Sequence, residues 1–88
     1  MKESLRKKIV VDPKIMVGKP VIKGTRIPVD AIIKRMADGL TIEEILVDYP
    51  KLVRDDIKAA LQYSIDVLRG EDVVPLVIKG GKHAAPSR

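Results

Sequence analysis

Apolar residues follow two rhythms along this chain. Up to residue 28 they fall in short β-branched runs. Ile9 to Val11 is one such run, stopped by Asp12-Pro13, and it reads as a strand. Val21-Ile22 and Thr25 to Ile27 flank Lys23-Gly24. Glycine takes positive φ at little cost, so this spacing predicts a tight turn between two extended pieces, with the Thr25 hydroxyl free to bond turn backbone. Pro20 and Pro28 have no amide donor, which suits edge or terminal positions in a small sheet. "MKESLRKK", ahead of the first strand, predicts a frayed or weakly helical start, and "KIMVGKP" a connector turning at Gly18.

From Val29 the period lengthens. Val29, Ile32, Ile33, Met36, Ala37 and Leu40 recur at three- and four-residue steps, the apolar face of a helix with Asp30 in its first turn and Gly39 at its end. In "LTIEEILVDYP", Thr41 and Glu44 have the spacing of a capping box, and Leu40 and Ile45 that of a hydrophobic staple. Ile42, Ile45, Leu46 and Tyr49 form the apolar face of this second helix, and Pro50 ends it. A third helix is expected over roughly Arg54 to Arg69. Ile57, Ala60, Leu61, Ser64, Ile65 and Leu68 share one face, and Gly70 stops the helix. The tail carries one apolar segment, Val73 to Ile78, broken by Pro75; it is either a late edge strand or a segment ordered only by a partner.

The fold class that follows is mainly α with a small N-terminal β element. The three helices are arranged as a helix-turn-helix-like bundle. Residues 1–8 are expected to be a flexible N-terminus, 9–70 the folded domain, and 71–88 a C-terminal tail, partly disordered.

Composition changes this picture in one respect. There is no Phe or Trp and only two Tyr among 88 residues, so the core is built without large rings and a homodimer is expected to complete it. No cysteine is present to staple it, which fits a reducing compartment. No apolar run approaches the roughly 18 residues of a membrane span, and the start lacks a signal peptide's apolar block, so the expected location is cytoplasmic and off the membrane. Net charge is +5, unevenly spread: residues 1–28 sum to +6, residues 29–70 to −2 and residues 71–88 to +1. A basic N-terminal third attracts nucleic acid or an acidic protein surface, or simply solubilises the chain.

Little in the sequence points to catalysis. "GKPVIKGTRIPV" has glycines and a lysine, but five residues separate Gly18 from Gly24, and Thr25 follows Gly24 with no lysine between; a phosphate-binding loop needs four residues and then Gly-Lys-Ser/Thr. His83 is the sole histidine and lies in the tail. The pairs Glu43–Glu44 and Asp55–Asp56 sit at helix starts, where capping and dipole effects account for them. The expectation is therefore no enzyme, no cofactor and no metal site. The residues expected to touch nucleic acid or a partner are Lys19, Lys23, Arg26, Arg54 and Lys58. Against DNA reading by the third helix stand the two aspartates of "VRDDIKAA", close to where phosphates would lie.

The strings "GKPVIKGTRIPV", "MADGLTIEEILVDYPKL" and "DDIKAAL", in that order, resemble the domain-of-unknown-function 433 family of bacteria and archaea over about Ile9 to Leu68. The resemblance implies a short β element before a helix-turn-helix-like body. Many members look like VapB-type antitoxins, expected to bind and silence a toxin with a PIN-like nuclease fold and often to bind their own promoter. Two positions depart from the family's pattern. A double glycine is common where this chain has Val17-Gly18, and a capping Thr or Ser is common at Val53, so the third helix is expected to start about 1 kcal/mol under-capped unless Asp55 or Asp56 compensates.

The leading expectation is an antitoxin that neutralises a PIN-like nuclease, using its tail or an edge strand and basic side chains such as Lys19, Lys23 or Arg26, with promoter autoregulation as a further expectation. The alternative is a stand-alone DNA-binding helix-turn-helix regulator.

Overall fold

The structure is a computed structural model that describes residues 3–70 and 76–77. A short helix α1 (Glu3–Arg6) leads into strand β1 (Ile9–Val11), a single tight turn over Met16–Gly18 and strand β2 (Pro20–Ile22). Helices α2 (Val29–Ala37), α3 (Ile42–Asp48) and α4 (Arg54–Leu68) follow, and strand β3 (Leu76–Val77) comes last. The chain is thus mainly helical with a small sheet, and α1 is a helix beyond the three expected.

β1 is the central strand. It pairs antiparallel with β2, placing Ile9 opposite Ile22 and Val11 opposite Pro20, and parallel with β3, placing Val10 opposite Leu76. β3 is therefore an edge strand held by this chain's own β1. The expected disorder of the tail and the position of His83 lie outside the described residues.

The turn after β2 forms as its residues dictate. The Thr25 amide donates to the Ile22 carbonyl at 3.0 Å, the Thr25 hydroxyl donates to the same carbonyl at 2.7 Å, and the Ile27 amide donates back to that hydroxyl at 3.0 Å. Gly24, at φ +81°, supplies the left-handed residue that a type II turn requires at this position. Beyond the turn the Ile22 amide donates to the Ile27 carbonyl at 3.0 Å and Pro28 bridges Val21, so the chain covers the outer edge of β2 before entering α2.

The core closes on five isoleucines, Ile9, Ile22, Ile32, Ile45 and Ile57, one from each of β1, β2, α2, α3 and α4, none more than 2% exposed. Each contributes about 1.5–3 kcal/mol by leaving water. Leu5 of α1 packs against this cluster.

Helix ends follow the expected chemistry. At the end of α2 the Leu40 amide donates to the Arg35 carbonyl and the Gly39 amide to that of Met36, each at 3.0 Å, which is a Schellman closure with Gly39 left-handed. At the start of α3 the Glu44 amide donates to the Thr41 hydroxyl at 3.1 Å and the Thr41 amide to the Glu44 carboxylate at 2.8 Å, completing the capping box. α4 has only the second half of such a box. Valine at position 53 offers no acceptor, but its amide donates to the Asp56 carboxylate at 2.9 Å, so Asp56 supplies the compensation.

The face of α4 differs from the periodic expectation. Ile65 and Leu68 are exposed, while Asp56, Ala59 and Asp66 are buried. Ala59 and Ala60 are fully buried in the core cluster, so the buried face of α4 is set toward Asp56, Ala59 and Asp66, and Ile65 and Leu68 fall outside it. Asp66 is satisfied there by the Gln62 amide group, which donates to it at 2.9 Å. Ala37 of α2, placed on the apolar face by spacing, is likewise exposed.

Candidate macromolecule-binding surfaces

The rotation of α4 leaves an open apolar groove between α2 and α4 of about 910 Å³. Ile33 and Ala37 line its α2 side, and Tyr63, Val67 and Leu68 its α4 side; Asp30 and Lys34 stand on α2 as its polar lining. Leu68 is 86% exposed and Val67 51%. Burial pushes the Tyr63 phenol above the ordinary tyrosine range. None of these residues was marked as a contact by the sequence pattern, because the spacing that places Leu68 with Ile57 and Ala60 is also the spacing of a buried stripe.

The five cations expected to make contacts separate into two groups. Lys19 lies where β2 meets the Met16–Gly18 turn, and its ammonium pairs with Asp30 at 3.2 Å. Lys23 and Arg26 lie at the opposite end of the β1–β2 hairpin, both exposed. There the Lys23 amide donates to the Lys8 carbonyl at 2.8 Å, which sets the turn against Lys7 and Lys8 at the end of α1. The Lys8 ammonium in turn donates to the Asp56 carboxylate at 3.2 Å. That contact ties the basic end of the hairpin to the first turn of α4, where Arg54 and Lys58 stand one turn apart. Lys58 also shares a second cleft, of about 400 Å³, with Leu5 of α1. The Lys8 contacts thus join the segments that carry Lys23 and Arg26 to the first turns of α4, which carry Arg54 and Lys58, and leave Lys19 at the other end of the hairpin. Sequence reasoning missed Lys7 and Lys8; the available hint was Asp56 at the third helical position behind a valine cap, a carboxylate in search of donors.

Electrostatics divides these charges again. Arg54 pairs with Glu43 of α3 at 2.5 Å and holds its carboxyl below the ordinary glutamate range, chiefly through the hydrogen bond, then through a backbone bond at Glu43 and the charge itself. Lys7, Lys23, Arg26 and Lys58 make no ion pair among the described residues. Asp56, only 7% exposed, is turned inward to Lys8 and the Val53 amide, leaving Asp55 as the exposed acid of "VRDD". Elsewhere Arg35 joins α2 to α3: it lies over the Tyr49 ring at 4.8 Å, donates to its hydroxyl at 3.2 Å and pairs with Asp48. Among the described residues no group of three His, Cys, Asp or Glu side chains is placed to hold a metal ion, and no helix is long and apolar enough to cross a membrane.

Comparison with known proteins gives the chain its relatives. The family model described as "Protein of unknown function (DUF433)" matches residues 9–64. An uncharacterized protein of Archaeoglobus fulgidus is 74% identical over 27 residues, 31% of this chain and 75% of that protein. The uncharacterized protein y4eO of Sinorhizobium fredii is 35% identical over 66 residues, which is 74% of this chain but 30% of that longer protein. The crystal structure of a DUF433 member from Anabaena variabilis superimposes with a TM-score of 0.69 at 29% identity, over 77% of this chain and 67% of that one. The match begins at β1 and runs through most of α4, so it takes in both the hairpin and the helical body. The chain belongs to the DUF433 family.

Proposed function

We propose that this protein is the antitoxin of a toxin–antitoxin pair and neutralises a PIN-like nuclease by seating an amphipathic helix of that nuclease in the groove between α2 and α4. The observation that carries the reading is the exposure of Val67 and Leu68 side by side along the apolar groove that α4 forms with α2. An apolar trough with an acid and a base on its α2 side, Asp30 and Lys34, matches a helix with one apolar stripe and charged flanks. Its test is co-expression with the product of the neighbouring gene, which this reading expects to be a PIN-like nuclease, followed by size-exclusion chromatography and a nuclease assay. A stable, inactive complex supports the reading; separate elution with full nuclease activity refutes it.

A second reading, a stand-alone DNA-binding regulator in which α2, α3 and α4 act as a helix-turn-helix-like unit, is favoured by the burial of Asp56. The main electrostatic objection to α4 approaching phosphates was its pair of aspartates, and one of them faces the protein interior. Electrophoretic shift of upstream DNA by the free protein, in competition with unrelated DNA, tests it. The two readings are compatible, because an antitoxin can also repress its own promoter.

A further inference from the structure

We propose that the end of the molecule where α1, the 23–26 turn and the first turns of α4 meet is a docking face for the phosphate backbone of duplex DNA, with Lys7, Lys23, Arg26 and Lys58 as its contacts. This rests on the DNA-binding reading above and adds to it which side chains meet the backbone and what they recognise.

Three observations combine. The four side chains are exposed and carry no ion pair among the described residues, whereas Lys19, Lys34, Arg35 and Arg54 each have a carboxylate partner. They come from three chain segments that Lys8 fastens together, through its carbonyl to the Lys23 amide at 2.8 Å and through its ammonium to Asp56 at 3.2 Å. The fastening withdraws the Asp56 carboxylate from the surface, so that exposed Asp55 alone opposes the four cations within "VRDD". Fixed cations spread over separate segments suit a polyanion with repeating charge better than one small anion.

The ligand is duplex rather than single-stranded. Single strands are held by bases stacked on aromatic rings. This chain has only two such rings, Tyr49 under Arg35 and Tyr63 in the α2–α4 groove, and neither belongs to this face. DNA is favoured over duplex RNA because α4 adjoins the face, and the major groove of DNA admits a helix where that of A-form RNA does not. Contacts made to phosphates carry no sequence information, so the face gives affinity and register rather than selectivity.

The test is fluorescence anisotropy of the full chain with a 25-base-pair duplex of arbitrary sequence, at 50 and 200 mM salt. Three to four phosphate contacts make the affinity fall about 40- to 150-fold between those concentrations. The variant K23A/R26A, with two contacts left, falls only about 12-fold. The charge-matched control K14A/K19A, altered at the other end of the hairpin, behaves as wild type. Wild-type binding that is absent at 50 mM salt overturns both the face and the DNA reading. A steep salt dependence lowered by K14A/K19A and not by K23A/R26A overturns the face alone and leaves DNA binding standing. Tighter binding to a single strand or an RNA duplex, or loss of the nuclease partner in K23A/R26A with DNA binding unchanged, also overturns it.

Discussion

Lys8 and Asp56, 48 positions apart in sequence, meet with ammonium and carboxylate 3.2 Å from one another. The same carboxylate accepts from the Val53 amide at 2.9 Å, so one side chain starts α4 and also fastens it to the hairpin. Asp56→Ala removes both bonds, leaving the Val53 amide uncapped and the Lys8 ammonium without its carboxylate, and is expected to cost about 2–3 kcal/mol. Asp56→Asn keeps an oxygen for the amide and loses only the charge pairing, for about 1 kcal/mol. Urea denaturation of the two variants measures the difference; equal costs would mean that the cap contributes nothing.

Val17 is a β-branched residue at φ +59°, between Met16 at φ +50° and Gly18 at φ +83°, and its side chain is 95% exposed. The left-handed backbone there costs a valine roughly 1–2 kcal/mol, with no packing to offset it. Val17→Gly is therefore expected to stabilise the protein by about 1 kcal/mol, read as a rise in the thermal midpoint. A fall would show that the turn is unstrained. A glycine at this position is the residue that the resemblance to the family implied.

Thr25 makes two side-chain bonds within a turn of a few residues. Thr25→Ser keeps both and should leave stability nearly unchanged, whereas Thr25→Val loses both at about 1–2 kcal/mol. The pair of variants, compared by denaturant titration, separates hydrogen bonding from shape. Equal midpoints would remove the hydroxyl from the account of the turn.

Glu43 provides a pH-dependent check on the link between α3 and α4. Its carboxyl is held low in the folded state, so the contact with Arg54 supports the fold above the ordinary glutamate range. That support is lost as pH falls through the folded value. Carbon-detected NMR titration should place Glu43 below an unfolded glutamate, and Arg54→Ala should raise it part of the way back, the backbone bond remaining. An unchanged midpoint in the variant would show that Arg54 does not set it.

Much of the fold was legible because local chemistry and the global fold agree. Thr41, Glu44 and Leu40 announce α3, Gly39 closes α2, and the Lys23-Gly24 pair marks the turn. What could not be read is tertiary. Periodicity places Ile57, Leu61, Ile65 and Leu68 on one stripe, yet the rotational setting of α4 in the packed body, which buries Asp56, Ala59 and Asp66, decides which of them meet water. The inward turn of Asp56 depends on Lys8, distant in sequence, and the basic face depends on the same contact. Of the candidate cations, spacing could not separate the paired Lys19 and Arg54 from the unpaired Lys23, Arg26 and Lys58.

The groove between α2 and α4 is the centre of this account, and its exposed position permits a direct measurement. V67D/L68D alters side chains that the isolated domain leaves half or more in water, so its stability should fall by no more than about 1–2 kcal/mol, the cost of two carboxylates at a helix C-terminus, and the fold should persist. Co-expressed with the product of the neighbouring gene, which the proposal expects to be a nuclease, the wild-type chain is expected to elute as a stable, inactive complex, and V67D/L68D to elute alone and leave the nuclease active. A double variant that binds and silences the nuclease as well as wild type would contradict the assignment of the groove.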